Sequence, residues 1–142
     1  MTASRVGQTK DAGWEIGVSR TVPFPIEEVW DFLTSAAGSA VWLGAGVQRL
    51  DEPGTAYETA AGTSGEIRSF RPRDRVRLTW RPVDWDHDST VQFTVVAAAG
   101  DRTRVGFHQE RLAGATEREQ QRTHWQGVLD ALADALAERA AS

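Results

Sequence analysis

The stretch Thr116–Ala140, TEREQQRTHWQGVLDALADALAERA, decides the fold. Trp125, Val128, Leu129, Leu132 and Leu136 fall at i, i+3, i+4, i+7 and i+11, the spacing of a single buried stripe on one long α-helix. Thr116, followed three residues later by Glu119, reads as the capping box that opens it. From Gly54 to Glu110 the chain reads almost entirely as short strands. A helix and a sheet that each carry one apolar face remove both from water by packing on one another, so the helix must lie across the sheet. A curved sheet gripping one long helix tends to leave a pocket between them.

Turn signals at Ala61-Gly62-Thr63, Pro72-Arg73-Asp74, Pro82 to Asp88 and Ala99-Gly100-Asp101 cut out strands near 55–60, 64–71, 75–81, 89–98 and 102–110. Short loops between sequential strands mean antiparallel pairing, hence a meander. Alternation places Val76, Leu78, Trp80, Val91, Phe93, Val95, Val105 and Phe107 on the inward face. Arg75, Arg77, Arg81, Gln92, Thr94 and Arg104 take the solvated one. An earlier strand, Trp14 to Val22, ends at Pro23 and Pro25. Ile26, Val29, Trp30 and Leu33 then form a short helical stripe behind the acidic pair Glu27 and Glu28, and a second apolar segment, Ala40 to Leu43, follows a break at Gly38. Residues 1–12 are polar and without periodicity, which predicts a flexible tail ahead of a single domain over 13–142.

The composition narrows the function. With 142 residues, 40% hydrophobic and 25% charged, the chain is one ordinary globular domain. No apolar run approaches the roughly 20 residues that span a bilayer, and the N-terminal residues lack a signal-peptide pattern, so a cytoplasmic location is expected. Zero cysteines exclude disulfides, thiolate metal sites and thiol nucleophiles. A formal charge of −4 argues against nucleic-acid or membrane partners.

The order β-α-α-β-β-β-β-β-α resembles the helix-grip α+β fold of the START-like (SRPBCC) superfamily, in the branch of the C-terminal domain of the activator of Hsp90 ATPase. The resemblance covers residues 14–138. It is carried by Pro25-Ile26-Glu27-Glu28-Val29-Trp30, Val41-Trp42-Leu43-Gly44, Gly62-Thr63-Ser64-Gly65-Glu66, Arg75-Val76-Arg77-Leu78-Thr79-Trp80, Thr90-Val91-Gln92 and His124-Trp125, taken in that order. It implies a curved sheet of about six antiparallel strands around the long helix, and a hydrophobic cavity between them. Its members include lipid carriers, polyketide cyclases and co-chaperone modules.

The expected function is that of a small-molecule binding module whose hydrophobic ligand sits between sheet and helix. The expected lining is Trp42, Leu78, Trp80, Phe93, Phe107, Gln121, Trp125 and Val128, because apolar pockets are walled by inward aromatics with a few polar groups. Trp80 and Trp125 are the stronger candidates, and Arg118, Gln121 and Arg122 put polar groups one to two turns before the leucine stripe. Two alternatives use the same scaffold: an enzyme of cyclase or hydrolase type in the cavity, drawing on Glu66, Asp84 or His124 for acid–base work, and an interaction module that modulates a chaperone ATPase. No cofactor and no metal are expected. His108 and Glu110 share a strand face, but that face is the outer one, which His124 on the helix cannot reach.

Overall fold

The computed structural model describes residues 8–9, 13–48 and 50–141. Its elements are β1 (Gln8–Thr9), β2 (Gly13–Val22), α1 (Ile26–Thr34), α2 (Ala36–Trp42), β3 (Ala56–Glu58), β4 (Ser64–Arg71), β5 (Arg75–Trp80), β6 (Ser89–Ala98), β7 (Arg102–Leu112) and α3 (Ala115–Ala141). They form one curved antiparallel sheet in the order β1-β2-β7-β6-β5-β4-β3, crossed by α3, with α1 and α2 beside it. β3 to β7 are the expected meander. β2 closes it by pairing with β7 from Trp14↔Leu112 to Val22↔Thr103, a pairing between distant parts of the chain. Within the stretch expected to be a tail, Gln8–Thr9 pair with Trp14 and Gly13; the rest of that stretch lies outside the described residues.

The inward faces follow the alternation. Val76, Leu78, Val91, Phe93, Val95, Val105 and Phe107 are buried, and they meet Trp125, Val128, Leu129, Leu132 and Leu136 of α3 in one core. On the outer face Arg77 pairs with Glu110, both half-buried. An ion pair that water still reaches contributes little, so Arg77→Ala is expected to lower the unfolding free energy by less than about 1 kcal/mol. Urea denaturation measures this, and a larger loss would mean that the pair anchors the β5–β6–β7 register.

Two boundaries differ from the sequence reading. Gly38 does not break the chain; it lies inside α2, and the break is at Ser35, whose hydroxyl accepts from the Gly38 N–H at 3.1 Å and caps the helix. The glycine serves close approach, since a Cβ there would collide with the Phe32 carbonyl oxygen of α1. The long helix likewise starts one residue early, at Ala115, so Thr116 is a helical residue and no cap. Glu117 does the work expected of Glu119, its Oε1 accepting the Ala113 N–H at 2.9 Å, while Glu119 turns to Arg118 at 2.7 Å.

Candidate functional site at the N-terminal half of the long helix

The eight residues expected to line a cavity fall into two groups. Trp42, Leu78, Phe93 and Phe107 make a close-packed layer on the sheet. The Trp42 ring meets Phe93 edge-on at 5.1 Å and Phe107 at 5.9 Å, and its N–H donates to the Leu33 carbonyl at 2.8 Å. Trp80, Gln121 and Trp125 gather where the first half of α3 crosses the ends of β5, β6 and β7. Trp80 lies 5.7 Å from Trp125, and Gln121 stands one helical turn before Trp125. Trp125 joins the groups by stacking on Phe107 at 4.9 Å and 14°. Val128 follows on the same buried stripe.

Between β2, β7, α1 and the second half of α3 the packing is tight. The apolar space bounded by Val22, Val29, Leu33, Val105, Leu129, Leu132 and Leu136 is about 10 Å³, roughly one water, and none of the eight expected residues bounds it. Larger hollows lie outside the core. One of about 500 Å³ separates β2 from α3 and is bridged by the Arg20–Asp130 ion pair at 2.7 Å. Another of about 360 Å³ lies on the outer sheet face over Gly17 and Gly106, where missing side chains leave a depression beside Arg104 and His108.

A buried polar chain runs through the Trp80–Trp125 end. The Trp125 indole N–H donates to Gln109 Oε1 at 2.7 Å, Gln109 Nε2 donates to Ser89 Oγ at 3.0 Å, and that hydroxyl donates to the Trp80 carbonyl at 2.7 Å. Gln109 and Ser89 are fully buried. The sequence reading named neither. Its signal was the alternation itself, because His108 and Glu110 facing outward leave Gln109 facing in.

Beside this satisfied chain stand atoms that are not satisfied. Among the described residues, Trp80 Nε1 and Gln121 Oε1 are buried side-chain atoms without a hydrogen-bond partner, a donor and an acceptor at the same end of α3; the third such atom is Arg75 Nε. A buried polar group without a partner costs free energy, and such groups mark places where water or a ligand supplies the missing bond. His124 is exposed on its outer side but rests its ring against Trp80 at 6.0 Å and Trp125 at 4.7 Å, and the desolvation there pushes its pKa below 6.5.

The rim is the loop 81–88 between β5 and β6. Trp85 sets its ring edge-on to Trp80 at 5.3 Å and 88°, and His87 stacks on Trp85 at 4.7 Å and 23°. His87 Nε2 contacts both carboxylate oxygens of Glu117, at 3.0 and 3.2 Å. Trp85, His87 and Glu117 are further residues beside the candidate site, which the turn signal over 82–88 does not reveal.

The other chemistry considered from sequence is spread apart. Glu66 pairs with Arg68 at 3.0 Å on the surface and Asp84 is exposed. His108 meets Glu15 at 3.3 Å on the outer face. Among the described residues no three His, Asp or Glu side chains converge as a metal site, and no helix is long and apolar enough to cross a membrane.

A curved sheet closed on a long C-terminal helix, with two short helices after its first long strand, defines the helix-grip class of α+β domains. Residues 23–137 match the family described as activator of Hsp90 ATPase homolog 1-like protein, and the chain belongs to that family. A search of curated proteins finds no match. Among solved structures, DynU16, a putative protein of the dynemicin biosynthetic locus, is similar with a TM-score of 0.78 at 23% identity over 87% of this chain. The match covers 47% of DynU16, so this chain spans about half of that protein. CalU16 from Micromonospora echinospora aligns at 21% identity over 91% of this chain and 81% of its own, with a TM-score of 0.74. An HSP90 activator from Plasmodium falciparum aligns at 15% identity over 78% and 86% of the two chains, with a TM-score of 0.65. At these identities the likeness is one of fold.

Proposed function

We propose that this domain binds a small, largely apolar molecule between the sheet and α3, at the end walled by Trp80, Trp125 and His124. The observation that carries this reading is the pair of buried, unpartnered atoms, Trp80 Nε1 and Gln121 Oε1, set into an otherwise aromatic wall. A wall of that kind contributes affinity through the area it removes from water, and a few convergent polar atoms fix orientation. The ligand therefore has a flat apolar body and at least one group that accepts from the Trp80 N–H or donates to the Gln121 carbonyl. Trp42, Leu78, Phe93, Phe107 and Val128 form the floor behind it. The ligand enters past the rim, whose side chains move to admit it.

The close ring packing of Trp42, Phe93, Phe107 and Trp125 favours a second reading, a surface that engages a protein partner such as a chaperone ATPase. Titration with anilinonaphthalene sulfonate and with a medium-chain fatty acid, followed by thermal unfolding and by indole ¹H–¹⁵N resonances, separates the two. The expected result is about one equivalent bound, a raised melting temperature and a shift centred on the Trp80 indole. Trp80→Phe, which keeps the ring and loses the donor, should weaken a hydrogen-bonding ligand by about tenfold, the loss of one hydrogen bond of roughly 1 kcal/mol or slightly more. Silence across such a panel would remove the ligand reading and leave the interaction module.

A further inference from the structure

We propose that the loop 82–88 is a door over the Trp80 end of the helix–sheet layer, hinged at the sheet-paired Arg81, and that the His87–Glu117 pair is its proton-dependent latch. What the door admits rests on the ligand reading above; the latch itself is a property of the protein alone.

The loop is built to move as a unit. The Trp85 N–H donates to the Pro82 carbonyl at 3.0 Å, a bond internal to the loop, while Arg81, whose backbone is paired with Ser64 of the sheet, donates from Nε to the Trp85 carbonyl at 3.0 Å and so anchors the hinge. Trp85 is the panel that covers Trp80, the residue whose indole N–H has no partner. Val83 on the same loop is 76% exposed and lies over Gly62, and Trp85 is only partly buried against the core. The tie to α3 is His87 on Glu117. The carboxylate is held in place independently, because its Oε1 also accepts the Ala113 N–H at the start of α3, where the helix dipole favours negative charge.

The hydrogen-bond inventory of His87 identifies the latched form. Nε2 faces the Glu117 carboxylate and Nδ1 faces the Asp88 carbonyl at 3.2 Å, and both partners only accept. Neutral imidazole has one donor nitrogen and one acceptor nitrogen, so it satisfies one of these contacts and sets lone pair against lone pair in the other. Imidazolium satisfies both. The charges that act on the ring are Glu117 on α3 and Asp86 in its own loop, while Asp88 meets it through its main-chain carbonyl and turns its carboxylate to Arg81 at 3.9 Å. Burial opposes the charge on His87, but the hydrogen bond to Glu117, the Asp88 carbonyl and the charges of Glu117 and Asp86 outweigh it and hold the pKa above 6.5. The contribution is therefore complete below pH 6.5 and is lost as pH rises through the higher folded-state value. His124, the other titratable group of α3 at this site, has its pKa moved the opposite way and stays neutral through that window. The door is latched in mild acid and released towards alkaline pH.

The test uses the whole chain without ligand. Protection of the Trp80 indole N–H and of amides 83–88 against hydrogen exchange, each corrected for the intrinsic rate, is measured at several pH values through the neutral range. The variants are Glu117→Gln, which keeps an acceptor for the Ala113 N–H, and His87→Gln, with Glu119→Gln as control. The expected wild-type result is a loss of protection of about twofold to fivefold as pH rises, the range a partly exposed ion pair gives. Glu117→Gln and His87→Gln should show the low value at every pH, and the control should follow wild type. Wild-type protection that does not change with pH, or a Glu117→Gln variant indistinguishable from the control, overturns the latch. Anilinonaphthalene sulfonate added to the same samples keeps the two readings apart. If probe binds and protection ignores both pH and the variants, the latch alone is lost. If protection responds as expected while no probe binds, the latch stands without the ligand site.

Discussion

Trp125→Ala is expected to lower the unfolding free energy by about 3–5 kcal/mol, the cost of deleting a large, fully buried aromatic. Trp125 is 0% exposed, stacks face-on against Phe107, and stands at the crossing of α3 with the sheet. Its removal leaves a void bounded by Phe107, Trp80 and His124, which cannot collapse because two of those rings sit on strands held by neighbours on both sides. The midpoint of urea denaturation should fall with little change in its slope, since the same surface is exposed on unfolding. A midpoint within error of wild type would mean that α3 docks through its leucines alone. Trp125→Phe, which keeps a ring against Phe107, should recover most of the loss, and what remains measures the indole N–H and its bond to Gln109.

Gln109→Leu is the second large effect. Leucine fits the apolar surroundings of that position, yet the expected change is a destabilisation of about 1–3 kcal/mol, because the Trp125 N–H is left buried without an acceptor. Ser89 also loses a donor, although its own bond to the Trp80 carbonyl survives. Coupling separates this from simple packing. In a double-mutant cycle with Trp125→Phe, which has no N–H to strand, the cost of Gln109→Leu should largely vanish. If the two losses simply add, the chain from Trp125 through Gln109 to Ser89 contributes no connected stabilisation, and the polar residues there act only as fillers.

The same chain borders the proposed binding site. Most of the core is aliphatic and aromatic packing, whose loss is graded and local. At the Trp80–Trp125 end, a hydrogen bond to Gln109 instead fixes the Trp125 indole, and Trp80 is held by Ser89 at its backbone and by the Trp85, His124 and Trp125 rings around it while its own N–H stays unpaired. A ligand that completes that bond meets a wall already arranged for it, which lowers the ordering cost of binding.

Much of the architecture could be read along the chain. The stripe from Trp125 to Leu136 repeats every three or four residues, and the inward residues of β5, β6 and β7 repeat every two. Each pattern is the local imprint of a half-buried element, independent of what packs against it. Gly100, Pro72 and the segment 82–88 interrupt those patterns where the backbone must turn, so the meander was legible too. What the sequence could not give was whatever depends on residues far apart in number. The β2–β7 pairing joins positions about 90 apart, and its register comes from the fit of two complete strands around α3. Gln109 acquires its meaning only when Trp125 and Ser89 arrive on either side of it. His87 looks like one polar residue of an acidic turn until α3 brings Glu117 against it. The cavity expected from the curved sheet likewise depends on volume: Trp42, Phe93, Phe107 and Trp125 pack ring against ring between sheet and helix, and periodicity says which residues face inward without saying how much space they leave.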